Sequence, residues 1–252
     1  MELAIVTGVS RGLGAAIAEL MLEKGTAVMG LARQENKHLQ KVAEDNSTTF
    51  ESKKCDLNNL HQVEAIFTEI ANKAFNGMYH KVYLINNAGV VNPVDTAGNY
   101  SVESLSNHVN VNLTAPMATS NLFLHQAAAS RTELVVVNVT SGAAQRSVYG
   151  WSAYCSTKAA LNRFTETVAL EQEELGTRCK AILYDPGIMD TEMQGTIRSS
   201  SEEQFKDVEN FKQYKETNSL RDTKVVAEAL LNFLEEGEDL VNGKIYSIKD
   251  LY

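Results

Sequence analysis

Short apolar runs alternate with helical patterns along the whole chain of 252 residues, and this alternation is what most constrains the fold. The apolar runs predict strands near Leu3–Val6, Ala27–Leu31, Thr49–Glu51, Val82–Ile85, Leu134–Val139 and Ala181–Tyr184. A last strand is predicted at Lys244–Ile248, after a helix at Thr223–Leu234. Strands that alternate with helices form a parallel sheet covered on both faces, so we expect an α/β fold.

A glycine-rich turn follows the first predicted strand directly. Gly8, Gly12 and Gly14 stand between that strand and a helix predicted at Ala15–Glu23. Glycines at such a turn allow close backbone approach, and the free N–H groups at a helix start favour an anion such as the pyrophosphate of a dinucleotide. The spacing differs from the G-x-G-x-x-G pattern of many dinucleotide folds. An ordinary strand-to-helix turn is the alternative.

Tyr154 and Lys158 stand four residues apart on a predicted helix, which puts a phenol and an ammonium on one face. Ser152 is the candidate N-cap of this helix. We predict that the Lys158 cation lowers the pKa of Tyr154 from its ordinary value of about 10, which would make the phenol a useful general acid. An exposed pair with no chemical role is the alternative.

Further motifs follow in order along the chain. They are Asn86-Asn87-Ala88-Gly89, Asn112, Ser141, Pro186-Gly187 and Thr191. Together with the glycine turn and the Tyr154/Lys158 pair, they resemble the short-chain dehydrogenase/reductase family over nearly the whole chain. The resemblance implies a single-domain oxidoreductase over residues 1–252, with a Rossmann-like, doubly wound sheet of seven parallel strands.

The same resemblance implies four catalytic residues. Tyr154 would protonate a carbonyl oxygen as hydride leaves a nicotinamide, and Ser141 would bind the same oxygen. Lys158 would also bind the nicotinamide ribose. Asn112 would hold a water that links Lys158 to solvent.

The cofactor contacts are predicted from the glycine turn and from the resemblance. They are Gly8, Ser10, Arg11, Gly12, Leu13, Gly14, Arg33, Asp56, Leu57, Asn87, Ala88, Gly89, Tyr154, Lys158, Pro186, Gly187, Ile188 and Thr191. An acidic residue at the end of the second strand would bind the adenine ribose and repel a 2′-phosphate. Arg33 stands there instead, and Arg11 could approach the same phosphate, so we predict NADP(H). An Arg33 that points into solvent is the alternative.

Aromatic and sulfur-containing side chains predict the substrate pocket. Tyr149, Trp151, Met189 and Met193 would form an apolar pocket beside Ser141. Packing of Tyr149 and Trp151 in the core or in a subunit contact is the alternative. The polar residues 195–219 predict a lid over the substrate, with a plain surface insertion as the alternative.

Two segments narrow the resemblance within the family. Gly150–Tyr154 and Asp185–Gln194 resemble the benzil reductase subgroup, which is related to sepiapterin reductases. Such enzymes reduce one carbonyl of a 1,2-diketone to an α-hydroxy ketone, so a small-molecule carbonyl substrate is expected.

Charge and composition exclude several other classes. A formal net charge of −9 argues against nucleic acid or an anionic membrane as a partner. No apolar run approaches the roughly 18 residues of a membrane span, so a soluble, cytoplasmic protein is predicted. The cysteines and histidines have no ligand spacing, so we predict no metal site and place the histidines at the surface or partly packed. The family resemblance implies a homodimer or homotetramer.

Two other functions stay open. A 3-oxoacyl carrier-protein reductase would need a basic patch to dock an acidic carrier, and Glu171, Glu173 and Glu174 have the wrong sign near the predicted catalytic helix. A non-catalytic NADPH-sensing scaffold is the other candidate, since a fold does not dictate an activity.

Overall fold

The computed structural model describes residues 1–235 and 240–250. The domain predicted over 1–252 thus includes residues 236–239 and 251–252, which lie outside the described ranges. Within those ranges, seven parallel strands form one sheet in the order β3-β2-β1-β4-β5-β6-β7. The strands are β1 (Glu2–Thr7), β2 (Ala27–Ala32), β3 (Phe50–Lys54), β4 (Lys81–Asn86), β5 (Glu133–Val139), β6 (Cys179–Asp185) and β7 (Ile245–Ser247). The predicted α/β, doubly wound, seven-stranded fold is confirmed.

The helices of the described ranges connect these strands and cover both faces of the sheet. They are α1 (Gly12–Glu23), α2 (Lys37–Asp45), α3 (Leu60–Ala74), α4 (Val102–Val109), α5 (Ala115–Ala127), α6 (Ser152–Glu174), α7 (Glu192–Arg198), α8 (Val208–Glu216) and α9 (Thr223–Glu235). A π-helical turn at Asn110–Thr114 joins α4 to α5, and a 3₁₀ turn at Gly142–Gln145 follows β5. In this part of the chain, no helix is both long enough and apolar enough to cross a bilayer.

Two apolar cores lie on opposite faces of the sheet, because successive strand residues point to opposite sides. Ala4 and Val6 of β1 pack with α1, α2 and α9, whereas Leu3 and Ile5 pack with α3, α5 and α6. A third, smaller cluster lies beyond the sheet edge and joins the start of α6 to α7 and α8.

Several predicted boundaries differ from the structure. Helix α1 begins at Gly12 rather than at Ala15, and β7 is shorter than the predicted Lys244–Ile248. Strand β3 runs to Lys54, although the prediction ended it at Glu51, because an edge strand needs few apolar residues. Ser152 is the first residue of α6 and not its cap, and its hydroxyl is hydrogen-bonded to Tyr100 Oη at 2.7 Å.

The strand order reverses direction at β1 and β4, whose neighbours run outward on either side. Parallel sheets of this kind bind ligands beyond the carboxyl ends of the strands at such a reversal. Five loops begin at this edge, namely those after β1, β2, β4, β5 and β6. The topology therefore gathers the predicted motifs at one place.

Candidate active site

A continuous cleft of about 1270 Å³ runs along the carboxyl edge of the sheet. Every predicted cofactor contact except Gly14 lines it, as do Ser141, Trp151, Met189 and Met193. Asn112 and Tyr149 do not line it. The cleft is large enough for a dinucleotide and a small substrate together.

The glycine turn is shaped by close backbone contacts. Gly8 has a φ of +80°, which favours glycine, and a Cβ on Gly14 would lie only 2.4 Å from the Gly8 carbonyl oxygen. A Cβ on Gly12 would lie 3.8 Å from Thr191 Cγ2, so the turn comes within van der Waals reach of the residue that precedes α7. Gly14 thus sits behind the turn and lets α1 pack against it.

The first turn of α1 offers its backbone N–H groups to the cleft. Arg11 occupies the N-cap position, and its side chain does not cap the helix. The first N–H groups of a helix have no partner within the helix, and together with the helix dipole they favour an anion. The uncapped helix start and the glycine cradle fit the pyrophosphate of a dinucleotide.

The loop after β4 is fixed to the glycine turn through Thr7. The Thr7 hydroxyl accepts hydrogen bonds from the backbone N–H groups of Asn87 and Ala88, both at 3.0 Å. The Asn87 amide donates to the Thr7 carbonyl oxygen at 2.9 Å. Two cleft walls that are far apart in sequence are thereby held in a fixed relation.

The far end of the cleft carries the residues predicted to distinguish the cofactors. Arg33 is exposed there, and Asp56 and Leu57 also line the cleft. Arg11 forms an ion pair with Glu192 of α7 at 2.6 Å. The structure therefore directs Arg11 toward α7, whereas Arg33 forms no ion pair with the described residues and is available to a phosphate.

Tyr154 lies in the first turn of α6 with only 7% of its surface exposed. Burial raises its pKa to about 12, and a hydrogen bond with Ser141 opposes part of that rise. Ser141 itself caps the 3₁₀ turn and accepts from the Ala143 N–H at 3.2 Å. The phenol is therefore held protonated next to the Ser141 hydroxyl.

Lys158 follows one helical turn after Tyr154 and is also buried. Its Nζ donates to the Val139 carbonyl oxygen at 2.7 Å and lies 5.9 Å from the Tyr154 ring centroid. Burial lowers the pKa of Lys158 to about 8, although the Asp185 charge opposes this shift. The prediction that Lys158 lowers the pKa of Tyr154 is wrong for this arrangement, because burial disfavours the charged forms of both groups.

Asn112 belongs to the π-helical turn and is almost fully buried. Its amide donates to the Val90 carbonyl oxygen at 2.7 Å, and its Oδ1 accepts from the Val90 N–H at 2.8 Å. The amide nitrogen also lies 3.0 Å from His108 Nε2. The side chain therefore clamps the loop after β4, and its predicted role in holding a water stays a prediction.

His108 corrects the expectation that the histidines lie at the surface or are only partly packed. It is 1% exposed, with Nδ1 2.6 Å from the Asn92 carbonyl oxygen and Nε2 3.0 Å from Thr157 Oγ1. Burial lowers its pKa, so the ring is held neutral. It links the π-helical turn to α6, the helix that bears Tyr154 and Lys158.

The other end of the cleft is aromatic. Trp151 packs its ring against Tyr154 at a centroid distance of 5.2 Å and stacks on Phe205 at 4.7 Å. Phe211 of α8 contacts both Trp151 and Phe205 edge to face. Tyr149, by contrast, is half exposed beside Lys206 and lies outside the cleft, because Gly150 turns the chain between it and Trp151.

The segment predicted as a lid contains the end of α7 and all of α8. Ile197, Phe211 and Tyr214 of this segment line the cleft. Gln194 precedes the segment, and its amide donates to the Phe211 carbonyl oxygen at 2.9 Å. The segment thus covers the aromatic end, and its motion stays a prediction.

Many residues that line the cleft were not predicted as site residues from the sequence, and four of them illustrate why. Asp185 precedes Pro186 at the end of β6 and accepts from the Gly187 N–H at 3.0 Å, so its position next to a recognised motif could have revealed it. Phe211 and Tyr214 are spaced as neighbours on one helix face, which is a weaker signal. Arg221 lies in a loop that pairs with Met189, and no sequence signal marks it.

The site combines a buried phenol beside a hydroxyl with a lysine one helical turn further on, next to a cradle for a dinucleotide. This combination is that of a nicotinamide-dependent oxidoreductase that acts on C=O or CH–OH groups. The model of the short chain dehydrogenase family matches residues 2–202. The chain belongs to the short-chain dehydrogenase/reductase family.

Two curated relatives share nearly the full length of the chain. One is a benzil reductase, (S)-benzoin forming, from Bacillus subtilis, which is 43% identical and aligned over 99% of each chain. Another, from Bacillus cereus, has the same description and is 36% identical, aligned over 99% of this chain and 100% of its own. A crystal structure of a short-chain dehydrogenase/reductase from Saccharomyces cerevisiae is also similar, with 30% identity, a TM-score of 0.80, and coverage of 98% of this chain and 96% of its own.

Proposed function

We propose that this enzyme is an NADPH-dependent reductase of apolar or aromatic 1,2-diketones, of which benzil is the model substrate, and that it forms an α-hydroxy ketone. The observation that carries the proposal is the aromatic wall of Trp151 and Phe211, which lines the cleft directly beside the proton donor Tyr154. Aromatic rings bind an aryl ketone through apolar burial and ring contacts. The two benzil reductase relatives support the same substrate class.

The chemistry needs a hydride, which a bound reduced nicotinamide supplies to the carbonyl carbon. Tyr154 holds its proton because burial raises its pKa, and it donates that proton to the carbonyl oxygen as negative charge develops there. The Ser141 hydroxyl binds the same oxygen and stabilises that charge.

Lys158 is anchored one helical turn after the proton donor. Its Nζ is anchored to Val139 at the end of β5, and a Cβ on Gly89 would lie 3.8 Å from that nitrogen. The loop after β4 therefore passes close to the lysine, and Lys158 would hold the ribose of a bound nicotinamide nucleotide. With a pKa of about 8, Lys158 can both donate and accept a proton near neutral pH.

Arg33 supports NADPH over NADH. Its exposed guanidinium, at the end of β2, lines the cleft near Asp56 and Leu57. A guanidinium binds a phosphate with two parallel hydrogen bonds, whereas an acidic residue in this position would repel the 2′-phosphate. Arg11 is paired with Glu192, so Arg33 is the residue that we assign to the 2′-phosphate.

The deciding experiment follows NADPH and NADH oxidation with benzil, 1-phenyl-1,2-propanedione and an acetoacetyl thioester. We expect the diketones to be reduced with NADPH in preference to NADH. Arg33→Gln should weaken NADPH binding by about 10- to 100-fold and leave NADH unchanged, because one charged hydrogen-bond donor is lost. Arg131→Gln, at an exposed position outside the cleft, is the matched control. Preference for the thioester would instead support the carrier-protein reductase, and tight NADPH binding without any turnover would support the sensor.

A further inference from the structure

The indole nitrogen of Trp151 has no hydrogen-bond partner. It is the one buried side-chain nitrogen or oxygen of the described residues that lacks one. Roughly nine in ten buried polar atoms are paired, because an unpaired donor keeps the cost of its lost hydration. A donor left unpaired beside a proposed catalytic residue therefore calls for a function.

The position of the ring is fixed by its backbone and its neighbours. The backbone N–H of Trp151 donates to the Val148 carbonyl oxygen at 3.1 Å, and the backbone carbonyl oxygen of Trp151 accepts from the Cys155 N–H at 2.8 Å. The ring stacks on Phe205 with an interplanar angle of 25° and meets the edge of Phe211 at 5.6 Å. The indole ring is therefore held among three aromatic neighbours, and its centroid lies 5.2 Å from that of the Tyr154 ring.

The cover over this ring comes from the chain just before α8. A Cβ on Gly150 would lie 2.1 Å from the Gln204 carbonyl oxygen, so this segment presses directly on the residue before Trp151. Phe205, the next residue, is fully buried. Contacts to the Trp151 ring and to Gly150 thus come from the segment that also covers the aromatic end of the cleft.

We propose that Trp151 Nε1 donates a hydrogen bond to the second oxygen of a 1,2-dicarbonyl substrate, while Tyr154 and Ser141 serve the oxygen that is reduced. This inference rests on the proposed function and assigns the residue that recognises two adjacent carbonyls. The two oxygens of such a substrate are on adjacent carbons, and the two donors belong to neighbouring rings whose centroids lie 5.2 Å apart. The indole nitrogen is covered before the substrate binds, so the substrate has to open part of this cover as it enters, and its second oxygen then supplies the missing partner.

The bond has a direct consequence for selectivity. A mono-ketone of the same shape leaves the indole N–H without a hydrogen-bond partner. A diketone supplies that partner and removes the free-energy cost of a buried, unpaired donor. The difference corresponds to a selectivity of about 10- to 100-fold for the diketone. The mono-ketone should still be reduced, because Tyr154 and Ser141 act on the other oxygen.

The test compares benzil with deoxybenzoin, which has the same two phenyl rings and one carbonyl. Trp151→Phe keeps an aromatic ring and removes the N–H. We expect the ratio of kcat/KM for benzil over deoxybenzoin to fall about tenfold or more in the variant, because a change in the aromatic wall affects both ketones and only the lost N–H distinguishes them. An unchanged ratio in a variant that still reduces benzil overturns the assignment and leaves the proposed function standing. If the wild-type enzyme reduces neither ketone, the proposed function itself fails.

A second measurement needs no variant. Trp151 is the single tryptophan of the chain, so its indole N–H gives one proton resonance. With NADP⁺ bound, benzil should move this resonance downfield as the hydrogen bond forms, and deoxybenzoin should not. Equal shifts with the two ketones would overturn the proposal even if Trp151→Phe failed to fold.

Discussion

The two ends of the cleft are built in different ways. At the glycine turn, backbone groups and short polar side chains do the positioning, as in the bonds from Asn87 and Ala88 to Thr7. At the other end, the rings of Trp151, Phe205 and Phe211 pack against one another. The first construction suits a ligand whose phosphates are the same in every turnover. The second construction suits an apolar ligand, because packed rings can move to admit it without breaking hydrogen bonds.

Tyr154 lies where the two ends meet, and its replacement should produce the largest effect. Tyr154→Phe removes the proton donor and keeps the ring that contacts Trp151, so ketone reduction should fall by about 10²- to 10⁴-fold. Binding of NADPH, measured by fluorescence titration, should stay within about twofold of the wild type. Residual activity near the wild-type level would mean that another group supplies the proton.

Gly14→Ala should break the cofactor end alone. The added Cβ would lie 2.4 Å from the Gly8 carbonyl oxygen, so the glycine turn must move away from α1. We expect NADPH affinity to fall by about 100-fold, while the aromatic cluster and the near-ultraviolet spectrum of Trp151 stay as they are. Isothermal titration with NADPH measures the change. A variant that binds NADPH normally would show that the turn has room that the structure does not indicate.

The pH dependence of stability tests the buried lysine. Burial lowers the pKa of Lys158 from 10.5 to about 8, so the unfolded chain binds more protons than the folded protein between these values. The stability contribution of Lys158 therefore rises with pH in this window and is flat below it. Relative to Lys158→Met, which does not titrate, the wild type should gain roughly 2 kcal/mol between pH 8 and pH 10.

Urea unfolding of the cofactor-free proteins measures this difference. Burial raises the pKa of Tyr154 from 10.0 to about 12, so above pH 10 this residue lowers the stability of the folded protein as the pH rises. The comparison therefore stops at pH 10. Parallel stability curves for the two proteins would show that Lys158 titrates as an exposed lysine does.

Phe205→Leu should affect the aromatic end alone. Phe205 is fully buried and stacks on Trp151, so a smaller, non-planar side chain loosens the ring that lines the cleft. We expect the KM for benzil to rise about tenfold and the dissociation constant for NADPH to stay the same. A parallel loss of NADPH affinity would show that the two ends of the cleft are coupled rather than independent.

Gly195→Ala should give the smallest effect and is the control for Gly14→Ala. Gly195 lies in α7, where an added Cβ would meet only Arg198 Nη2, at 3.9 Å. The substitution should raise the free energy of unfolding by about 0.5–1 kcal/mol, because alanine favours the helix, without changing NADPH affinity. Thermal unfolding with and without NADPH checks both points.

The sequence predicted the cofactor end well because its signals are local. Apolar runs defined the strands, and residues such as Asn87 and Arg33 follow strand ends directly, so their place at the sheet edge could be deduced. Edge strand β3 was shortened in the prediction because its outer residues are polar. The ion pair of Arg11 with Glu192 could not be foreseen, since it depends on how α7 returns to the turn.

The aromatic end was predicted less well because its contacts join distant segments. The apolar pocket was anticipated from Trp151, but Tyr149 was wrongly placed in it, as one glycine at position 150 decides which ring turns inward. Phe205 and Phe211 were not identified, because a polar segment surrounds them. The raised pKa of Tyr154 could not be predicted either, because spacing along a helix does not report burial.

The bond between Thr7 and Asn87 spans 80 positions of the chain, which has a consequence for biosynthesis. A ribosome releases the glycine turn long before the segment that holds it, and β1 must wait for β4 before its second edge is paired. Long-range pairings of this kind slow folding, because the intervening loop has to close first. The nascent chain therefore carries an apolar strand with one unpaired edge until β4 has emerged, and a nicotinamide cofactor can stabilise the protein only after Asn87 has followed.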